Sequence, residues 1–106
     1  MESKTAVTAL AALAQESRLA IFRLLVQAGQ EGMAAGKIGE ALAIAPSSLS
    51  FHMKELSHAN LVSSRQESRF VIYSANFQTM NEVIGFLTEN CCGGTPCSAP
   101  NPVDCT

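Results

Sequence analysis

The 106-residue sequence has no tryptophan and one tyrosine, no cysteine before position 91, no histidine after position 58, and no lysine or arginine after Arg69. Each absence excludes something. Without cysteine in the first 90 residues there is no disulfide framework to staple a core. No histidine, serine and carboxylate set stands at catalytic spacing, so the chain does not read as an enzyme. No apolar run reaches the length of a membrane span. There is no cationic excess either: the formal net charge is −2, so a nucleic-acid role requires a local basic patch. That patch can only lie within residues 1–69, which hold all seven Lys and Arg against six carboxylates, while the rest has Glu82, Glu89, Asp104 and no cation.

What is present is 47% hydrophobic residues, sufficient for the small core of one domain. The Ala-rich start, TAVTALAALA, has the look of a signal peptide. But Glu2 stands where a basic region belongs and helical periodicity continues past any cleavage point, so it is read as a mature helix and the chain as cytosolic. In that compartment thiols stay reduced, and four cysteines confined to positions 91, 92, 97 and 105 favour metal or redox chemistry over disulfides.

The apolar periodicity predicts a first helix over residues 4–14, with Val7, Leu10, Leu13 and Ala14 on one side. A second, largely buried helix runs from Glu16 or Ser17 and ends at Gly29 and Gly32. A short helix from Gly36 to Leu42 leads through Ala43–Ile44–Ala45 into a longer one, APSSLSFHMKELSH. Leu49, Met53 and Leu56 recur there at i, i+4 and i+7, and Pro46 suits the first helical position. Two helices joined by so short a turn form a helix-turn-helix. Ala43 stands where such turns often use a left-handed Gly or Asn, so either Ala takes that conformation at a cost of about 1 kcal/mol or the turn is built differently. Asn60 is the expected left-handed cap of the longer helix. Residues 61–65 and 70–75 read as a β-hairpin broken by Gln66–Arg69. The chain is thus mainly α with a small β-hairpin, a winged helix-turn-helix. Phe77, Met80, Ile84, Leu87 and Cys91 make a heptad seam on a last helix from Phe77 to Cys92, to be packed on the first helix within one subunit or across a two-fold axis. Residues 1–92 form the folded domain. Residues 93–106, with three prolines, form a loosely ordered tail.

On the outer face of the long helix stand Ser47, Ser48, Ser50 and Phe51, with His52 beside them: short hydrogen-bonding groups and one ring that suit a major groove. Lys54 and Arg65 are expected to meet phosphates, and Arg69 the minor groove or its edge. The serines could equally be N-caps, and Phe51 a core residue.

ESRLAIFRLL, KIGEALAIAPSSLSFHMKELSHANLV and the Arg-flanked hairpin together resemble the ArsR/SmtB family of metal- and metalloid-responsive repressors, over residues 5 to about 92. The resemblance implies a homodimer built from first and last helices, operator double-stranded DNA as partner, and release of DNA when an ion binds. Two of the family's ion sites are absent. Ala34 and Gly36 stand where a Cys-x-Cys arsenic site would be, and the last helix has no histidine for zinc. Cys91, Cys92 and Cys97 instead resemble an arsenic-responsive subgroup with a C-terminal Cys-Cys-x(n)-Cys site. Adjacent helical residues point about 100° apart, so the two neighbouring cysteines can share a ligand only if the helix end unwinds, as Gly93 and Gly94 permit. Three sulfurs make a soft site, suited to As(III), to Sb(III), or to a trivalent methylated arsenical that needs only two thiols. Cys105 is a spare. A redox switch, or a soft-metal site for Cd, Pb or Zn on the same fold, are the alternatives, and His58 reads as structural.

Overall fold

A computed structural model describes residues 1–94. Five helices run in order: α1 (Ser3–Leu13), α2 (Glu16–Ala28), α3 (Ala35–Leu42), α4 (Pro46–His58) and α5 (Phe77–Thr88). Three antiparallel strands, β1 (Met33–Ala34), β2 (Val62–Glu67) and β3 (Phe70–Ala75), form a sheet in the order β1-β3-β2. The expected winged helix-turn-helix is therefore present, mainly helical with a hairpin wing. From position 95 onward the expected loosely ordered tail lies outside the described residues, and Cys97 and Cys105 with it.

The core gathers Ile21, Phe22 and Leu25 of α2, Ile38 of α3, Leu49, Met53 and Leu56 of α4, and Leu61, Val62, Ala75 and Val83. The i, i+4, i+7 stripe of α4 is thus its buried face. On α1 the alanine face is the buried one: Ala6, Ala9 and Ala12 are buried, Leu13 is half-buried against the core, and Val7 and Leu10 are exposed. Methyl side chains let α1 approach its neighbours closely.

Both joints of the helix-turn-helix follow from local backbone chemistry. Ala43 takes the left-handed conformation (φ 54°, ψ 47°), and the Ile44 N–H donates to the Gly39 carbonyl at 3.0 Å, closing α3 and reversing the chain. Ala pays a Cβ penalty there of about 1–2 kcal/mol. Glycine would remove the penalty but add freedom to the unfolded chain. Ala43→Gly should therefore raise the unfolding free energy by about 0.5–1 kcal/mol, read from the urea midpoint at unchanged m-value. At the far end of α4, Asn60 is left-handed (φ 61°). The Leu61 N–H reaches the Leu56 carbonyl and the Asn60 N–H reaches that of Ser57, each at 3.0 Å. Both leucines are fully buried, completing a Schellman stop with its apolar contact.

Three elements differ from the expectation. Strand β1 precedes α3 and pairs Met33 with Tyr73 and Ala34 with Ile72. Strand β2 runs on to Glu67 to meet Phe70, the expected start of β3, because Ser68 accepts a positive φ of 58° and closes a two-residue turn. Helix α5 stops at Thr88, four residues early. The Thr88 hydroxyl donates back to the Ile84 carbonyl at 2.9 Å, and Glu89 is extended (φ −57°, ψ 129°). Cys91 is therefore not on the seam, of which Phe77, Met80 and Ile84 are half-buried and Leu87 is exposed.

Candidate nucleic-acid interface and sulfur site

Helix α4 starts at Pro46, with Ala45 as a cap that makes no side-chain hydrogen bond. Ser47 and Ser48 are thus not spent on capping. They stand exposed in the first turn with Ser50 just beyond, and Lys54 is exposed one turn on. Phe51 is 56% exposed, which settles it as a surface residue. Its ring meets that of His52 edge-on, at 5.9 Å between centroids. His52 is half-buried, and its Nδ1 is enclosed with no hydrogen-bond partner, so only Nε2 remains for an acceptor outside the protein. The exposed face of α4 is thus short hydroxyls, an aromatic ring buttressed by an imidazole, and one ammonium group, a set able to meet base edges and thymine methyls.

The wing lies beyond the end of α4. Arg69 is exposed in its tip and makes no hydrogen bond or ion pair with any described residue. Arg65 differs. Its Nε is within hydrogen-bond distance of a Glu67 carboxylate oxygen, its Nη1 lies 3.4 Å from the Ser74 hydroxyl, and its Nη2 donates to the Glu31 carbonyl at 2.8 Å. The charge and position of Arg65 alone predict a phosphate contact. Nothing local signals that the turn after α2 lies within reach of it.

At the other end of the chain, the helix unwinds before the cysteines. Asn90, Cys92 and Gly93 all have positive φ, and this kinked turn brings the Cys91 and Cys92 sulfurs to 3.5 Å. An ion bound by two thiolates at about 2.3 Å each spans at most about 4.6 Å between sulfurs, so one ion can reach both. The expected unwinding is present, but at Glu89 and Asn90, upstream of the glycines expected to provide it. Cys91 is a free, half-buried thiol, and Cys92 is disulfide-bonded, so a thiolate site there forms on reduction. Among the described residues no group of three His, Cys, Asp or Glu side chains is gathered for a metal. His58, exposed at the end of α4, belongs to no such group.

The two ends are joined through the first turn of α5. The Asn60 side-chain amide, at the stop of α4, donates to the Thr79 hydroxyl at 3.2 Å. The Thr79 N–H in turn donates to the Asn76 side chain that caps α5, also at 3.2 Å. Thr79 is the buried polar residue of the described chain. Among the described residues no helix is long and apolar enough to cross a membrane.

Comparison with known proteins places this geometry. A family model for a helix-turn-helix domain matches residues 13–65. The chain is 39% identical over 77 residues to an uncharacterized HTH-type transcriptional regulator, YceK, of Bacillus subtilis, a span of 72% of this chain and 76% of that protein. It is also similar to the crystal structure of NolR from Sinorhizobium fredii: TM-score 0.64, 31% identity, 84% of this chain and 86% of that one. An ArsR-like transcriptional regulator from Rhodococcus sp. RHA1 shares the fold, with TM-score 0.70 and 24% identity over 79% of this chain and 76% of the other.

Proposed function

We propose that this chain, which belongs to the helix-turn-helix transcriptional regulators, is a metalloid-responsive repressor of the ArsR type whose dimer holds operator DNA until As(III) occupies the C-terminal cysteines. Antimony(III) and trivalent methylated arsenicals have the same thiophilic chemistry and fall within the proposal. One observation carries it: two cysteine sulfurs sit 3.5 Å apart just past the end of a helix whose first turn is hydrogen-bonded to the stop of α4.

Ser47, Ser48, Ser50 and Phe51 read base edges, His52 supports the ring, Lys54 binds phosphate and Arg69 enters or flanks the minor groove. Val7 and Leu10 of α1 and Leu87 of α5 are large apolar residues left in water, which supports pairing of two chains through these helices. A two-fold dimer presents its α4 helices to half-sites about 34 Å apart. As(III) supplies a centre that joins thiolates from Cys91, Cys92 and, as proposed, Cys97. Drawing these residues together fixes the chain just past α5. A shift of α5 is then passed to α4 through Thr79 and Asn60, and the spacing of the two α4 helices no longer fits the operator. The effector acts only by binding the DNA-free form more tightly.

The test is a fluorescence-anisotropy titration, in reductant, of a duplex enriched from a random pool. Arsenite should release the duplex at stoichiometric protein occupancy. A complex that survives saturating arsenite contradicts the proposal. The disulfide at Cys92 favours a second reading, a redox-responsive regulator in which peroxide oxidises two thiols to a disulfide and is itself reduced to water. Release by peroxide with no response to arsenite would select it.

A further inference from the structure

Arg65 lies on the outer strand of the wing, yet its guanidinium reaches across the whole sheet. On β2 it is opposite Ile72 of β3, which is in turn opposite Ala34 of β1. From there Nη1 approaches the Ser74 hydroxyl on β3, and Nη2 bonds the Glu31 carbonyl just ahead of β1. The Ser74 hydroxyl lies 3.4 Å from the Gln30 carbonyl as well, so strand β3 and the turn after α2 are tied at two neighbouring points. Behind this contact, Gly32 approaches the Tyr73 carbonyl so closely that an added Cβ would lie 2.2 Å from it. The remaining donor, Nε, is held by Glu67 on the same face of β2.

We infer that Arg65 is a wing-positioning residue, a strap that fixes the angle of the β2–β3 hairpin against the turn after α2, and not a phosphate contact. The inference rests on the DNA-binding reading and changes the part Arg65 has in it. Three of the five guanidinium N–H groups have protein acceptors. The Glu67 carboxylate also cancels its charge locally and would repel a phosphate brought to the same place. Arg69 and Lys54 carry the corresponding charge with no side-chain partner among the described residues. The strap needs a planar fork aimed at separate acceptors, which the single ammonium of lysine cannot reproduce.

This separates the two roles by substitution. If Arg65 contacts phosphate as a charge, Arg65→Lys keeps affinity, and Arg65→Gln lowers the slope of log K against log salt by about 0.9. If it is a strap, Arg65→Lys and Arg65→Gln both weaken binding to the enriched duplex by about tenfold, the worth of one charge-assisted hydrogen bond, at unchanged salt slope. Hydrogen exchange gives a readout that needs no DNA: amides 67–71 of the wing should exchange faster in Arg65→Lys, while those of α2 and α4 keep wild-type protection. Wild-type exchange in the wing overturns the inference, as does affinity of Arg65→Lys within twofold of wild type. Failure to enrich any duplex defeats the DNA-binding reading, and the inference falls with it. Enrichment followed by full rescue in Arg65→Lys defeats the inference alone.

Discussion

Gly32→Ala should remove most of the stability of the domain, and Gly29→Ala, three residues away, should not. The two glycines have nearly the same backbone conformation, φ 73°, ψ −161° and φ 75°, ψ −162°, a region that side chains other than hydrogen hardly enter. Either substitution therefore stores about 1–3 kcal/mol of strain. The surroundings differ. At Gly29 nothing lies within 4 Å of an added Cβ, while at Gly32 the Tyr73 carbonyl oxygen lies at 2.2 Å and the Ser74 hydroxyl at 2.6 Å. The hydroxyl can rotate away. The carbonyl cannot, because Tyr73 is fixed between Met33 of β1 and Ser64 of β2, and moving it opens both ladders. Strain and overlap together should exceed about 4 kcal/mol, the range reached by few single substitutions, against a total of about 5–15 kcal/mol. Urea unfolding followed by circular dichroism should place Gly32→Ala far below Gly29→Ala. Equal midpoints would mean that the turn after α2 is not packed against β3.

Cys91→Ser and Cys92→Ser should each raise the arsenite concentration for half-release of the operator at least about 100-fold, while leaving operator affinity within twofold of wild type. The first part follows from ligand chemistry. A serine hydroxyl is a hard, protonated oxygen where a soft thiolate is required, and loss of about 3 kcal/mol of binding is a factor of about 100. The second follows from placement, since both cysteines lie beyond Thr88, where α5 ends, and neither belongs to the core. Anisotropy titrations of the three proteins against one duplex measure both quantities. Undiminished release by both variants would remove the sulfur pair from the sensing mechanism. Loss of operator binding without arsenite would make the cysteines structural.

What could be read from the sequence was local. The buried stripe of α4, Pro46 at its first position, the left-handed Ala43 and the Asn60 stop each depend on neighbours within one or two turns, and all stand as expected. The features that sequence reasoning missed depend on distant partners. Met33–Ala34 is a strand because Tyr73 and Ile72 lie beside it, and two residues carry no alternation to detect. Arg65 is tied up by carbonyl and hydroxyl oxygens up to 34 residues away. On α1, close approach selects the alanines for burial and leaves Val7 and Leu10 in water. The early end of α5 was obscured by a heptad pattern that continues through Cys91 although the helix does not. Of the three cysteines, Cys91 and Cys92 have their sulfurs 3.5 Å apart with Cys92 in a disulfide, and Cys97 lies outside the described residues.

If the cysteine site and the DNA face oppose one another, linkage reduces the matter to a single comparison. Arsenite affinity should be measured by calorimetry on the free protein and on the protein saturated with its duplex. Arsenite should bind more weakly on DNA, by the same factor by which it weakens operator binding, since coupling between two sites is reciprocal. Equal arsenite affinity in the two states would contradict that opposition.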